Sequence, residues 1–309
     1  MIREGTIDNI SSSSTLIDKI RDYVQLMKPN LSTMVVFSSV IGYLLAPGIS
    51  FQWLQVILLF VGGMLVTNAA NIINQIIERV SDGFMKRTMN RPLPTHRMSV
   101  TEAVIICVIS ALIGSFLLGY FFNWLAAGLS ILSMLLYGFA YTPMKKVNTI
   151  ATFIGAIPGA FPPLIGWVAA LGLPGLAGTN DLIGLGGWTL FLIQFFWQFP
   201  HFWAIAWLGY EEYLKAGIML LPSKSGKTPF TGLQCLFYSL PLLPLSMVPH
   251  YLGMTGTVSM YVCLLFAAYY VFNSALFYTK NDRLSAKKVM YSSFIYLPGV
   301  LIALIIDKI

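Results

Sequence analysis

Residues 74–94 read NQIIERVSDGFMKRTMNRPLP, and they follow directly on an apolar stretch long enough to span a membrane. Two carboxylates, four Lys or Arg and Asn74 crowd into this segment, although only 10% of the 309 residues are charged. Asn74, Glu78 and Asp82 stand four residues apart in succession. On a helix each such step turns the position by only about 40°, so all three share one face, roughly 6 Å apart along the axis. Two carboxylates this close repel one another, more so near a low dielectric. A divalent cation would remove that repulsion, and oxygen ligands with positions left for water or phosphate suit Mg²⁺. The alternative at this point is a charged helix end resting at the membrane interface.

The surrounding chain is oily: 57% of residues are hydrophobic and the mean hydropathy is +0.74. Apolar runs of about 18 residues or more recur along the length, each able to cross a hydrocarbon core of about 30 Å. Unsatisfied backbone groups are too costly there for anything but helices in such a chain. The expected fold is all-α: one membrane domain over residues 1–309, an integral bundle of nine transmembrane helices near 31–48, 52–77, 100–120, 123–142, 150–172, 184–208, 231–250, 255–279 and 289–306. Gly42 and Pro47 interrupt the first span. Pro158, Pro162 and Pro163 predict a kinked fifth span with close backbone approach, and Pro241, Pro244 and Pro249 a kinked seventh. Residues 1–28 lack the apolar core and small-residue cleavage site of a cleavable signal, and read as a cytoplasmic N-terminal segment.

Charge orients the bundle. Lys and Arg fall in residues 1–28 and in the loops after even-numbered spans; on the other side only Lys308 is basic. This positive-inside pattern places the N-terminus in the cytoplasm and the C-terminus outside, in a bacterial cytoplasmic membrane. The net charge of +7 is therefore a topological signal, and its scatter over five segments argues against nucleic-acid binding. Cys107, Cys235 and Cys263 lie in apolar runs without metal or disulfide spacing. PSKSGKTP, residues 222–229, lacks the strand and first Gly of a phosphate loop.

A second acidic block, WLGYEEYLKAG, puts Glu211 and Glu212 at the cytoplasmic end of the sixth span, on the same side as the first block. Two acidic clusters ringed by Lys and Arg suit a ligand carrying both metal and phosphate, and diphosphate fits. An apolar cavity beneath them would give that diphosphate a greasy tail.

These stretches resemble the UbiA superfamily of membrane prenyltransferases, whose first motif is an Asn and two acids at four-residue steps followed by a basic KRTxxRP run. Here that reads Asn74, Glu78, Asp82 and KRTMNRPLP. Within the superfamily the chain is most similar to the heme O synthase branch. YVQLMKPNLS, YTPMKKVNTIATFIGAIPGAFPPLIGW (141–167) and WQFPHFWAIAWLGYEEYLKAGIMLLP (197–222) carry that resemblance, which runs from about residue 23 to 300. Glu78 and Glu212 stand where the family usually has Asp, one methylene shorter. Gln75 stands where benzoate-prenylating relatives commonly carry an acid, which points toward the heme branch.

The resemblance implies farnesyl transfer from farnesyl diphosphate to a vinyl group of heme b, with water supplying a hydroxyl. The other acceptor it leaves open is an aromatic or quinone precursor. It implies Mg²⁺ on Asn74, Glu78, Asp82, Glu211 and Glu212, with Asn74, Glu78, Asp82 and Glu212 acting in catalysis. Lys28, Arg79, Lys86, Arg87, Arg91, Tyr141 and Lys145 would bind the diphosphate. His201 and Trp197 are the candidates for heme. Hand-off to a heme A synthase or a terminal oxidase is implied as well. A transporter would instead need acids near mid-span and internal repeats, which the sequence lacks.

Overall fold

The computed structural model describes residues 16–171 and 182–309, and those residues are helical throughout, with a single isolated β-bridge between Thr255 and Lys308. Two helices precede the bundle's core: α1 (Leu16–Met27) and α2 (Pro29–Leu45). Then come α3 (Trp53–Asp82), α4 (Val100–Phe121) and α5 (Trp124–Leu135), the last running through a π-helical turn at Leu136–Tyr141 into α6 (Thr142–Met144). The chain continues as α7 (Ala151–Leu171), α8 (Leu182–Leu208), α9 (Tyr210–Lys215), α10 (Pro229–Ser239), α11 (Leu242–Leu245), α12 (Val248–Tyr251), α13 (Thr257–Lys280) and α14 (Arg283–Ile306).

Seven helical segments among the described residues are long and apolar enough to cross a membrane. Two of the nine expected spans are not among these seven. The first is the 17-residue α2, which stops at Leu45, short of Pro47. The sixth is the 27-residue α8, an apolar helix that carries Gln194, Gln198, Pro200 and His201. Prolines split the seventh span into α10, α11 and α12, as their lost N–H groups require. Within the polar N-terminal segment Leu16–Met27 form a helix, which the Arg97–Asp22 ion pair (2.9 Å) and the Tyr23–Glu102 hydrogen bond (2.7 Å) tie to the loop before α4 and to α4 itself.

α7 is the most buried span and packs between α2, α5 and α8. It is continuous, although three prolines lie inside it. Pro162 cannot donate to the carbonyl of Pro158, and Ser133 Oγ donates there instead (3.0 Å). Pro163 likewise leaves Gly159 O without its helical donor, and Gln194 Nε2 fills the role (2.7 Å). Between helices in lipid, hydrophobicity supplies little drive, so small residues and close contact hold the bundle. A Cβ at Gly42 would collide with the Pro163 backbone, and one at Gly166 with the Ser39 backbone. α2 and α7 therefore meet backbone to backbone.

At the end of α2 away from Asn74, Lys308 Nζ donates to the carbonyls of Leu44, Ala46 and Ile49 at 2.6, 2.8 and 3.0 Å. Leu44 O is a carbonyl that the helix end leaves without a donor, and Ala46 and Ile49 lie in the turn just past it. Asp307 accepts from Ser259 N (2.7 Å) beside it.

Candidate active site

The four-residue spacing on α3 does what helical geometry demands. Asn74, Glu78 and Asp82 are all buried, at 3, 4 and 1% exposure. Each is met by a cation from a different segment. Lys145 Nζ lies 2.7 Å from Glu78 Oε1, Arg91 reaches Asp82 Oδ2 at 2.6 Å, and Lys28 donates to Asn74 Oδ1 at 3.2 Å. Asn74 Nδ2 in turn donates to Glu78 Oε2 (2.8 Å) and to Thr142 Oγ1 (3.2 Å).

Local structure explains how each cation arrives. The basic loop after α3 folds back because Thr88 Oγ1 donates to the Asp82 carbonyl (2.8 Å), which carries Arg91 over the end of the helix. Lys28 sits between α1 and α2 at φ +50°, a left-handed conformation uncommon for a side chain with a Cβ. Burial, and after it the charge of Arg91, push the Lys28 ammonium down to about 7. Pro143 cannot donate to Phe139 O, and the chain widens into a π turn just before it, where Thr142 Oγ1 bonds to Tyr137 O (2.8 Å). Lys145 then lies 4.7 Å above the Tyr141 ring. Three cations face two carboxylates, so the cluster has capacity for a further anion.

The second acidic block is brought to the same end of the bundle. Arg87 donates to Tyr213 OH at 3.3 Å, Met219 N donates to Lys145 O at 2.6 Å, and Met85 packs with Ala216 and Ile218. Glu212 is half-buried there. Its neighbour Glu211 turns outward, 72% exposed, and pairs with Lys227 at 3.6 Å. Arg79 points away as well, donating to Ile76 O on its own helix (2.9 Å). Lys86 is exposed on the loop. Gln75 faces away from the acids and ties α1 down by donating to Leu26 O (2.5 Å). Among the described residues no three His, Cys, Asp or Glu side chains gather as a ready metal cage. The oxygen set at this end is Asn74, Glu78 and Asp82, with Glu212 on the adjacent segment.

Tyr141 also lines a cavity of about 640 Å³ that runs into the bundle between α2, α3, α7, α8 and α14. Its walls are overwhelmingly apolar. Trp197 and His201 both line it, stacked at 4.8 Å, with His201 Nδ1 paired to Ser293 Oγ at 2.7 Å. Thr142, Tyr213, Gln194 and Gln198 were not singled out by sequence reasoning. The two glutamines, four apart in an apolar run, were the available signal.

A buried cluster of acids and cations beside an apolar chamber in an all-helical membrane bundle matches a known class. Residues 35–297 match the UbiA prenyltransferase family, and the chain belongs to that family, as a multi-pass membrane protein. It is 43% identical over 297 residues to a protoheme IX farnesyltransferase of Cytophaga hutchinsonii, covering 95% of this chain and 100% of that protein. Its fold is shared with a digeranylgeranylglyceryl phosphate synthase (TM-score 0.76, 23% identity, 94% and 98% covered). It is shared too with a UbiA homolog from Archaeoglobus fulgidus bound to DMAPP and Mg²⁺ (TM-score 0.59, 18% identity, 89% and 99% covered).

Proposed function

We propose that this protein transfers the farnesyl group of farnesyl diphosphate to a vinyl group of heme b, releasing diphosphate and giving heme O, with water supplying the hydroxyl. The observation that carries this reading is the Asn74–Glu78–Asp82 cluster, already matched with Lys28, Lys145 and Arg91, whose Lys145 lies over the ring of Tyr141, a wall of the apolar chamber. The 43% identity to a protein named protoheme IX farnesyltransferase supports heme as the acceptor.

Asn74, Glu78 and Asp82 offer only oxygen, the chemistry a hard cation takes, and Glu212 completes the set from α9. Glu211 stays outside it because of its exposure and its pairing with Lys227. Magnesium bound there would stabilise the charge that grows on diphosphate as the allylic C–O bond breaks. The chain's own cations do the rest of that work. When diphosphate arrives, Lys145 and Arg91 exchange carboxylate oxygens for phosphate oxygens, and Lys28 adds a third contact. Arg87, steadied on Tyr213, and Lys86 meet the same anion from the loop. Tyr141 presents its ring to the chamber below, where an aromatic face stabilises allylic cation character. The farnesyl chain and the porphyrin plane occupy the apolar space. Trp197 offers a flat surface, and Ser293 on Nδ1 leaves His201 Nε2 to face heme. The Lys and Arg distribution supports a cytoplasmic placement of this end.

The test uses membranes containing this protein, incubated with heme b, farnesyl diphosphate and MgCl₂ and extracted for heme O. Farnesylated heme is the expected product. Transfer to hydroxybenzoate and not to heme would reassign the acceptor, and no transfer to either would refute the reading.

A further inference from the structure

Gln194 and Gln198 lie one turn apart on α8 and are both buried, at 5 and 2% exposure. Gln194 Nε2 donates to Gly159 O, and Gln198 Nε2 to Ala156 O, each at 2.7 Å. A carbonyl acceptor must face an amide nitrogen, so these bonds fix which end of each side chain is oxygen. The oxygens therefore point elsewhere. Among the described residues no donor reaches Gln194 Oε1. Gln198 Oε1 lies in the space beside Gly159, where a Cβ would collide with it. Both side chains line the apolar chamber. A buried acceptor without a donor is costly, and such groups are normally met by a ligand or an ordered water.

We propose that these two glutamine oxygens hold the water that becomes the hydroxyl of the product. The inference rests on the farnesyl transfer to heme proposed above. In that reaction neither the farnesyl chain nor the vinyl group carries an N–H or O–H; water does. The position also fits. A Cβ at Gly155 would lie 2.6 Å from the Tyr141 ring, and Gly159 is one turn further along α7, about 6 Å deeper. Water held there stands off from the ionising C–O bond beside Lys145, where it would hydrolyse the farnesyl cation. It is available to the second cation, formed deeper in the chamber.

The step balances as follows. The allylic C–O bond breaks with both electrons leaving on diphosphate. The vinyl π electrons form the new C–C bond to farnesyl C1. The inner vinyl carbon, now electron-deficient, takes a lone pair from the held water, and the released proton goes to the departing diphosphate. Without held water the neighbouring methylene, now carrying farnesyl, loses a proton to the departing diphosphate, its C–H electrons form the double bond, and an alkene results, lighter by one water. Gln194 and Gln198 act as positioning residues, through the water they orient.

The product ratio reads this directly. Protein in nanodiscs, given heme b, farnesyl diphosphate and MgCl₂, is assayed by mass spectrometry for hydrated against dehydrated farnesyl heme. Wild type should give the hydrated product. Gln194→Met and Gln198→Met should lower the hydrated-to-dehydrated ratio at least tenfold, and Gln194→Glu, which keeps an acceptor oxygen, should restore most of it. Met variants that make adduct at the wild-type ratio overturn the proposal. If the Met variants fail to fold, Gln194→Asn, which draws the amide back by one methylene, decides: an unchanged ratio overturns it. Wild type making no heme adduct at all would instead refute the underlying reading.

Discussion

Replacing Glu78 by Gln leaves Lys145 as a buried ammonium without its carboxylate. The pair is 2.7 Å apart, with side chains only 6 and 9% exposed, so water screens it little. At an effective dielectric near 20 the attraction at that distance is about 6 kcal/mol. The cost of drying both charges offsets much of it, and removing one partner should destabilise the fold by about 3 kcal/mol. Lys145→Met should cost a similar amount, since it strands Glu78. The double variant Glu78→Gln/Lys145→Met leaves neither charge stranded and should lie within about 2 kcal/mol of wild type. Unfolding in detergent, followed by tryptophan fluorescence, measures all four corners of the cycle. Farnesyl transfer should fall at least about 100-fold in all three variants, because restoring stability does not restore the carboxylate. Additive losses in the double variant would show that the two side chains are not coupled. Recovered transfer in the double variant would remove Glu78 from the reaction.

Asp82→Asn keeps an acceptor for Arg91 and should change stability by about 1 kcal/mol while abolishing farnesyl transfer; normal turnover in that variant refutes the metal assignment. Gly42→Ala forces a methyl group into the Pro163 backbone and should cost about 1–3 kcal/mol or more, read as a lowered midpoint of thermal unfolding. His201→Ala should weaken heme binding in a Soret titration by about tenfold and leave the KM for farnesyl diphosphate within twofold of wild type. Equal losses for both substrates would assign His201 to packing.

The acids of α3 were legible because a helix fixes their common face from spacing alone. Arg79 stands apart from those acids for the same geometric reason. One residue past Glu78 is about 100° around the helix, which turns it from the acids to its own backbone. Glu211 differs from Glu212 in the same way. The pairing of Lys145 with Glu78 was out of reach, since it follows the π turn before Pro143. What supports α7 was hidden. Its prolines forecast a single kinked span, and Ser133 and Gln194 supply the donors those prolines lack from other helices, which only the assembled bundle brings there. The use of the polar residues on α8 was hidden as well: Gln194, Gln198 and His201 line a chamber that only the packed helices enclose.

The bond from Lys308 to Leu44 links positions 264 residues apart. During synthesis the first helix of the bundle therefore remains unlatched until α14 has been made and inserted. Every intermediate on the ribosome carries an α2 whose far carbonyls still lack that ammonium. Chains interrupted anywhere before Lys308 lack this latch, whatever else of the bundle they have formed.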